Sequence, residues 1–63
     1  MTTWNVTRED DQPWVIWHGE DLIDTIPSHY DAWEVLDITQ RQYICRPVAW
    51  TLVPDGFATT LED

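Results

Sequence analysis

The side chains that could support catalysis are one cysteine, two histidines and many carboxylates. A cysteine nucleophile needs a neighbouring base and a positively charged or helix-N-terminal setting. Cys45 instead lies in an apolar stretch of an acidic chain and is interpreted as a buried structural residue. The two glycines, Gly19 and Gly56, are too few for a phosphate-binding loop or a dinucleotide fingerprint. We therefore expect no enzymatic activity and no cofactor.

The histidines and carboxylates do not have the spacing of a metal site. Two acidic groups lie in the first half of the chain, Glu9, Asp10 and Asp11 and then Glu20, Asp21 and Asp24. Neither has the alternating spacing with which a calcium loop surrounds its ion. His18, in a predicted turn, and His29, in a predicted first helical turn, are far apart in sequence, and a cysteine pair is missing. We expect no bound metal.

Net charge is the most extreme property of the sequence. The 63 residues include 12 acidic and 3 basic side chains, for a formal charge of −9, and no lysine. Phosphate contacts require clustered lysine and arginine, so direct binding to nucleic acid or to an anionic membrane is disfavoured. A basic protein partner is compatible with this charge. The alternative is that acidity serves solubility or adaptation to high salt.

The acidic residues form three groups that could together bind such a partner. Asp31, Glu34 and Asp37 repeat every third residue of a predicted helix, a rise of about 4.5 Å per step. Phosphates on one DNA strand are spaced at about 3.4 Å, so this row could occupy a groove built for phosphates. The alternative is a solvated helix face. The predicted partner-binding residues are Glu9, Asp10, Asp11, Trp17, Glu20, Asp21, Asp24, Asp31, Glu34 and Asp37.

Trp17 joins that set because of how the five tryptophans are distributed. Trp33 is predicted to lie in the core, on the apolar side of the helix, together with Trp4 and Trp50 from alternating strands. Trp14 and Trp17 fall on opposite faces of one strand, so at least one is exposed unless both sheet faces are covered. An exposed tryptophan beside carboxylates would anchor an interface.

Alternating apolar and polar residues predict the strands of the first half of the chain. The segment Thr3–Arg8 alternates, residues 13–18 form a short strand buried on both faces, and Asp21–Ile26 returns as its partner. Residues 9–12 form a polar loop, and Gly19 permits the tight turn between the second and third strands.

A helix and a second hairpin are predicted for the remaining residues. Ser28 followed by Asp31 is typical of a helix start, and the helix extends to Ile38. The segment Arg41–Arg46 is rich in β-branched and aromatic residues and is interpreted as a strand, although Pro47 could also end a longer helix. Strands at 48–53 and 57–61 flank a turn at residues 54–56.

These elements predict one small domain, residues 1–63, of the α+β class: a small antiparallel sheet of about four to five strands with one amphipathic helix packed on one face. In charge and lack of lysine the chain resembles the small acidic proteins with which phages and mobile elements block host defence, including anti-CRISPR proteins and DNA mimics. The resemblance covers no motif and assigns no residue. It implies a non-enzymatic inhibitor or interaction protein whose acidic surface binds the basic nucleic-acid-binding site of a partner.

The alternative function is a structural module that forms homodimers. An edge strand, either Thr3–Arg8 or residues 57–61, would pair with a second copy and stabilise a marginal core. The N-terminal residues lack the features of an export signal and no segment is apolar enough to cross a bilayer. We expect a cytoplasmic protein, in the host cell if it is phage-encoded.

Overall fold

A computed structural model describes residues 1–62 and confirms the α+β class. A five-stranded antiparallel sheet carries one helix on one face. The strands are β1 (Thr2–Thr7), β2 (Trp14–His18), β3 (Asp21–Ile26), β4 (Thr51–Val53) and β5 (Gly56–Leu61), and the helix is α1 (Ala32–Thr39), which continues as a π-helical turn at Gln40–Ile44.

The strand order places the first strand at the centre of the sheet. The order is β3-β2-β1-β5-β4, so β1 pairs with β2 on one side and with β5 on the other. The prediction that Thr3–Arg8 or residues 57–61 form an edge is therefore wrong, because both lie inside the sheet. The edges are β3 and the three-residue β4.

One face of the sheet carries the core. Trp4 and Val6 of β1 lie beside Trp14 and Ile16 of β2 on this face, and Val35 of α1 covers them. Trp4 is 8% exposed and Val35 is fully buried. Trp50 packs against this cluster but is only half-buried. Burial of these apolar side chains is the main force that holds the helix on the sheet.

The helix starts later than predicted, and Trp33 of its predicted apolar side lies outside the core, whereas Val35 of that side lies in the core and Leu36 packs against it. It begins at Ala32 with Asp31 as its N-cap, so Ser28 is not the start; residues 28–30 form a turn instead. The buried positions are Val35 and Thr39, one turn apart, and the Thr39 hydroxyl donates to the Val35 carbonyl at 2.8 Å. Trp33 therefore lies on the outer side and is 69% exposed, not in the core.

The segment Arg41–Arg46 is not a strand. Its first residues continue the helix as a π-helical turn, in which the Cys45 amide donates to the Gln40 carbonyl at 2.7 Å. Cys45 ends the turn in the left-handed conformation, with φ 64°, and is exposed rather than buried. The alternative that Pro47 follows a longer helix is the correct one. The next strand is β4, which begins at Thr51 rather than Val48.

The other face of the sheet, named here the open face, carries no helix. The pairing register of the strands places eleven side chains on this face: Thr3, Asn5, Thr7, Val15, Trp17, Leu22, Thr25, Thr51, Val53, Ala58 and Thr60. None of these residues is charged. Asp21 and Asp24, the two acidic residues within the described strands, pair with His18 and Ile16 and so project on the helix side. Charge is therefore distributed unequally between the two faces.

Candidate partner-binding surface

Two loops bring four carboxylates to one end of the sheet. Glu9, Asp10 and Asp11 lie between β1 and β2, in a turn closed by the Gln12 amide, which donates to the Glu9 carbonyl at 3.0 Å. Asp11 adopts φ 54°, a left-handed conformation that aspartate tolerates better than most residues. All three residues are exposed.

The β4–β5 turn adds the fourth carboxylate, that of Asp55. The Arg8 amide donates to the Asp55 carbonyl at 3.0 Å, so this turn lies next to the loop that begins at Glu9. The sequence alone did not assign Asp55 to the site, because its proximity depends on the pairing of β1 with β5.

The start of the helix lies at the same end. The Arg8 guanidinium donates to the Ser28 carbonyl at 3.2 Å, and Trp14 Nε1 donates to the Tyr30 carbonyl at 3.1 Å. These bonds hold the turn before the helix against the β1–β2 loop, and Asp31 follows directly. We name the five residues Glu9, Asp10, Asp11, Asp31 and Asp55 the acidic end.

Arginine does not neutralise the acidic end. The guanidinium of Arg8 lies 4.5 Å from the centre of the Trp14 ring and donates a hydrogen bond to the Ser28 carbonyl. It therefore contacts these two groups rather than a carboxylate. Within residues 1–62 the one ion pair joins Arg41 to Asp37, at 3.1 Å and on the exposed helix surface. The carboxylates of the acidic end therefore keep most of their field, which is screened only by salt and water.

Trp33 is a large exposed apolar group in the first turn of the helix that Asp31 caps. It is the second residue of the helix, two residues after Asp31, and it precedes Asp37 by one helical turn. Residues separated by four positions are neighbours on a helix surface. The exposed tryptophan next to a carboxylate, which the sequence predicted at Trp17, is found at Trp33.

Trp17 lies elsewhere, on the open face. Its ring is half-buried and its Nε1 donates to the Thr7 hydroxyl at 3.0 Å. As expected, Trp14 and Trp17 point to opposite faces, and Trp14 is the buried one.

The other predicted acidic residues do not join the acidic end. Glu20 lies in the turn between β2 and β3, and Asp21 is the first residue of β3, at the opposite end of the sheet. His18 ends β2 there and stacks on Trp4, with ring centres 4.3 Å apart.

The three helix acids have local roles rather than forming a free row, and Asp31 is the N-cap of the helix, in a capping box with Glu34. Glu34 Oε1 accepts a hydrogen bond from the Asp31 amide at 3.2 Å, as in a capping box. Asp37 pairs with Arg41. Their charges still add to the field of the helix side, but their side chains are already engaged.

Asp24 connects the edge strand β3 to the helical segment. Its carboxylate accepts a hydrogen bond from the Tyr43 hydroxyl at 2.7 Å and another from the Thr25 amide at 2.8 Å. These bonds, the one from Tyr43 first, lower the pKa of Asp24 and outweigh the smaller, opposing effect of burial. The same contact raises the pKa of Tyr43, because its neutral form is the donor. Asp24 is therefore a structural residue of this contact.

Neither a cluster of metal-ligating side chains nor a membrane-spanning helix is found within residues 1–62. No group of three or more histidine, cysteine, aspartate or glutamate side chains is placed to hold a metal ion there. No helix in this part of the chain has the length and apolar character that crossing a bilayer requires. No protein-family model, curated protein or solved structure matches the chain.

Proposed function

We propose that the protein is a non-enzymatic binding protein whose acidic end occupies the basic, nucleic-acid-binding site of a partner protein and competes with nucleic acid for it. The observation that carries this proposal is the convergence of two loops and the helix start on one end, where no arginine pairs with the carboxylates. Trp33 beside them supplies an apolar contact.

The negative charge of this surface increases the rate of association with basic partners and selects against acidic ones. A chain of charge −9 creates a field that accelerates encounter with a basic surface and disfavours acidic partners. Arginine and lysine side chains that bind phosphates also bind carboxylates, because guanidinium forms paired hydrogen bonds with either group. A surface rich in free carboxylates therefore competes for the same cations as a nucleic-acid backbone.

Trp33 slows the dissociation of the complex. Exposed charge pairs contribute little each, about 0.2–1 kcal/mol, and are screened by salt. A tryptophan can stack on an arginine side chain or fill an apolar recess, and tryptophan is enriched among the residues that dominate binding energy. We expect acidic residues to control the association rate and Trp33 to control the dissociation rate.

An inhibitor of a host defence or nucleic-acid enzyme is a particular form of this proposal. It is supported by the small size, the absence of lysine and the acidic character of the chain. In the competing explanation, acidity serves only solubility or a high-salt habitat, and the position of the carboxylates is then without consequence.

The experiment is capture followed by competition. The immobilised protein is incubated with host-cell lysate at low salt, and the bound proteins are challenged with a duplex oligonucleotide. We expect a basic protein to be retained, to be released by the oligonucleotide, and to dissociate as salt rises from about 0.05 to 0.5 M. A retained partner that resists both nucleic acid and salt would refute the competitive mechanism.

A further inference from the structure

The open face is the neutral surface of an otherwise acidic molecule. Its strand side chains are uncharged, whereas the acidic residues lie in the loops, on the helix and on the helix side of β3. Its most exposed apolar side chain is Leu22, 55% exposed, which pairs with Trp17 of β2. Two copies repel each other least when their open faces meet, because this places both helix sides outward.

We propose that the open face is the interface of a weak, twofold-symmetric dimer of this chain. A twofold interface requires that the same surface supply both a protruding group and its recess. Leu22 protrudes near one end of β3, and a shallow groove of about 320 Å³ lies towards the other end. Val15, Trp17 and Thr25 of the open face line this groove on one side, and Arg8 and Glu9 line it where the sheet meets the β1–β2 loop. A twofold axis parallel to the sheet and perpendicular to the strands seats each Leu22 in the groove of the other copy.

The size of the sheet makes this a weak association. Four strands of five or six residues and the three-residue β4, spaced at about 4.8 Å, give a face of at most roughly 19 by 20 Å. Two such faces bury about 750 Å² in total, below the 1,200 Å² or so of stable complexes. We expect a dissociation constant of about 0.1–1 mM when charge repulsion is screened.

Salt affects this dimer and the proposed partner complex in opposite directions. High salt screens the repulsion between two copies of charge −9 and strengthens apolar burial. Self-association therefore increases with salt, whereas binding of a basic partner decreases. Either proposal can fail without the other, because the dimer is tested at Leu22 and Thr25, which are not residues of the acidic end.

Sedimentation equilibrium at about 0.05 and 2 M NaCl, over protein concentrations of about 10 µM to 1 mM, tests the proposal. We expect monomer at low salt and a concentration-dependent dimer at high salt. Leu22→Asp should raise the dissociation constant about tenfold or more, because it places a carboxylate in an apolar contact. The matched control is Leu52→Asp, which makes the same change at a residue 76% exposed on the opposite face of edge strand β4, and it should leave the dimer intact.

A second variant, Thr25→Glu, changes an exposed residue that lines the groove and should give the same loss as Leu22→Asp. Near-ultraviolet circular dichroism of each variant checks that its core is intact. Monomer at about 1 mM in 2 M NaCl, or equal loss in Leu22→Asp and Leu52→Asp, would overturn the proposal.

Discussion

Replacement of Trp33 by alanine separates a surface role from a core role. The side chain is 69% exposed, so about one third of its area, roughly 65 Å², is buried on folding. At about 25 cal/mol per Å² this loss is at most about 1.6 kcal/mol. Alanine is the better helix former by about 0.5 kcal/mol. The expected net cost is about 1 kcal/mol.

Val35→Ala is the matched control on the same helix. Val35 is fully buried, and loss of two methyl groups costs about 2–2.5 kcal/mol when the residual cavity is included. The smaller side chain should therefore give the larger effect. In a domain of this size each kcal/mol lowers the melting temperature by about 4–8 °C.

Thermal unfolding followed by far-ultraviolet circular dichroism measures both variants. We expect a decrease of about 4–8 °C for Trp33→Ala and about 8–20 °C, at least twice as large, for Val35→Ala. Trp33→Ala should also shift tryptophan emission to shorter wavelength, because it removes a water-exposed indole. If Trp33→Ala destabilises the protein as much as Val35→Ala, Trp33 belongs to the core and cannot be the partner contact.

Two further predictions concern contacts that fix the fold. The lowered pKa of Asp24 means that its bond with Tyr43 stabilises the protein above about pH 4, the unfolded value, and that this stability is lost as pH falls through the folded pKa. Tyr43→Phe should therefore lower the free energy of unfolding at pH 7, and this difference should disappear once the pH is below the folded pKa of Asp24. The raised pKa of Tyr43 means that the contact is also lost as pH rises above about 10, which urea titrations across pH would reveal. Gly56→Ala should lower the free energy of unfolding by about 2–3 kcal/mol, because Gly56 has φ 154° and an added Cβ would overlap the Val6 carbonyl oxygen. Gly19 has φ 63° but lies in open space. Gly19→Ala should therefore lower the free energy of unfolding by only about 1 kcal/mol in the same denaturation assay. Equal costs at the two glycines would contradict the close approach at Gly56.

The first three strands were predictable because their signals are local. The alternation of Trp4 and Val6 with polar neighbours marks β1, and Gly19 marks the turn between β2 and β3. The observed bounds, Thr2–Thr7 and Asp21–Ile26, agree with the predicted segments to within one residue. Period-two alternation is decisive wherever one face of a sheet is buried.

The helix and the segment after it were predicted less well because tertiary contacts decide them. The helical spacing of the aromatic residues predicted that Trp33 is buried, but the fully buried side chains of the helix are those of Val35 and Thr39. Residues 41–46 have strand-like composition, yet Tyr43 contacts Asp24 and the Trp4 ring from a helical turn. Short apolar segments are ambiguous between helix and strand when composition is the only guide.

The sequence identified most of the acidic residues of this surface, but it did not show which of them lie together. The turn at Glu9–Asp11 follows from its polar composition. That Asp55 and Asp31 lie at the same end depends on the pairing of β1 with β5 and on the bond from Arg8 to Ser28. Such contacts join residues far apart in sequence, and no local pattern encodes them.

The acidic end is tested most directly by two triple variants with the same net charge. Asp10, Asp11 and Asp55 are changed to lysine in one, and Glu20, Asp21 and Glu62, at the opposite end of the sheet, in the other. Each substitution adds two charges, so both variants change from −9 to −3.

Affinity for the captured basic partner is measured for both variants at the same low salt concentration. We expect the first variant to bind about a hundredfold more weakly than the unmodified protein and the second less than about tenfold more weakly. Equal loss in the two variants would show that only total charge matters, and it would contradict a binding site at the acidic end.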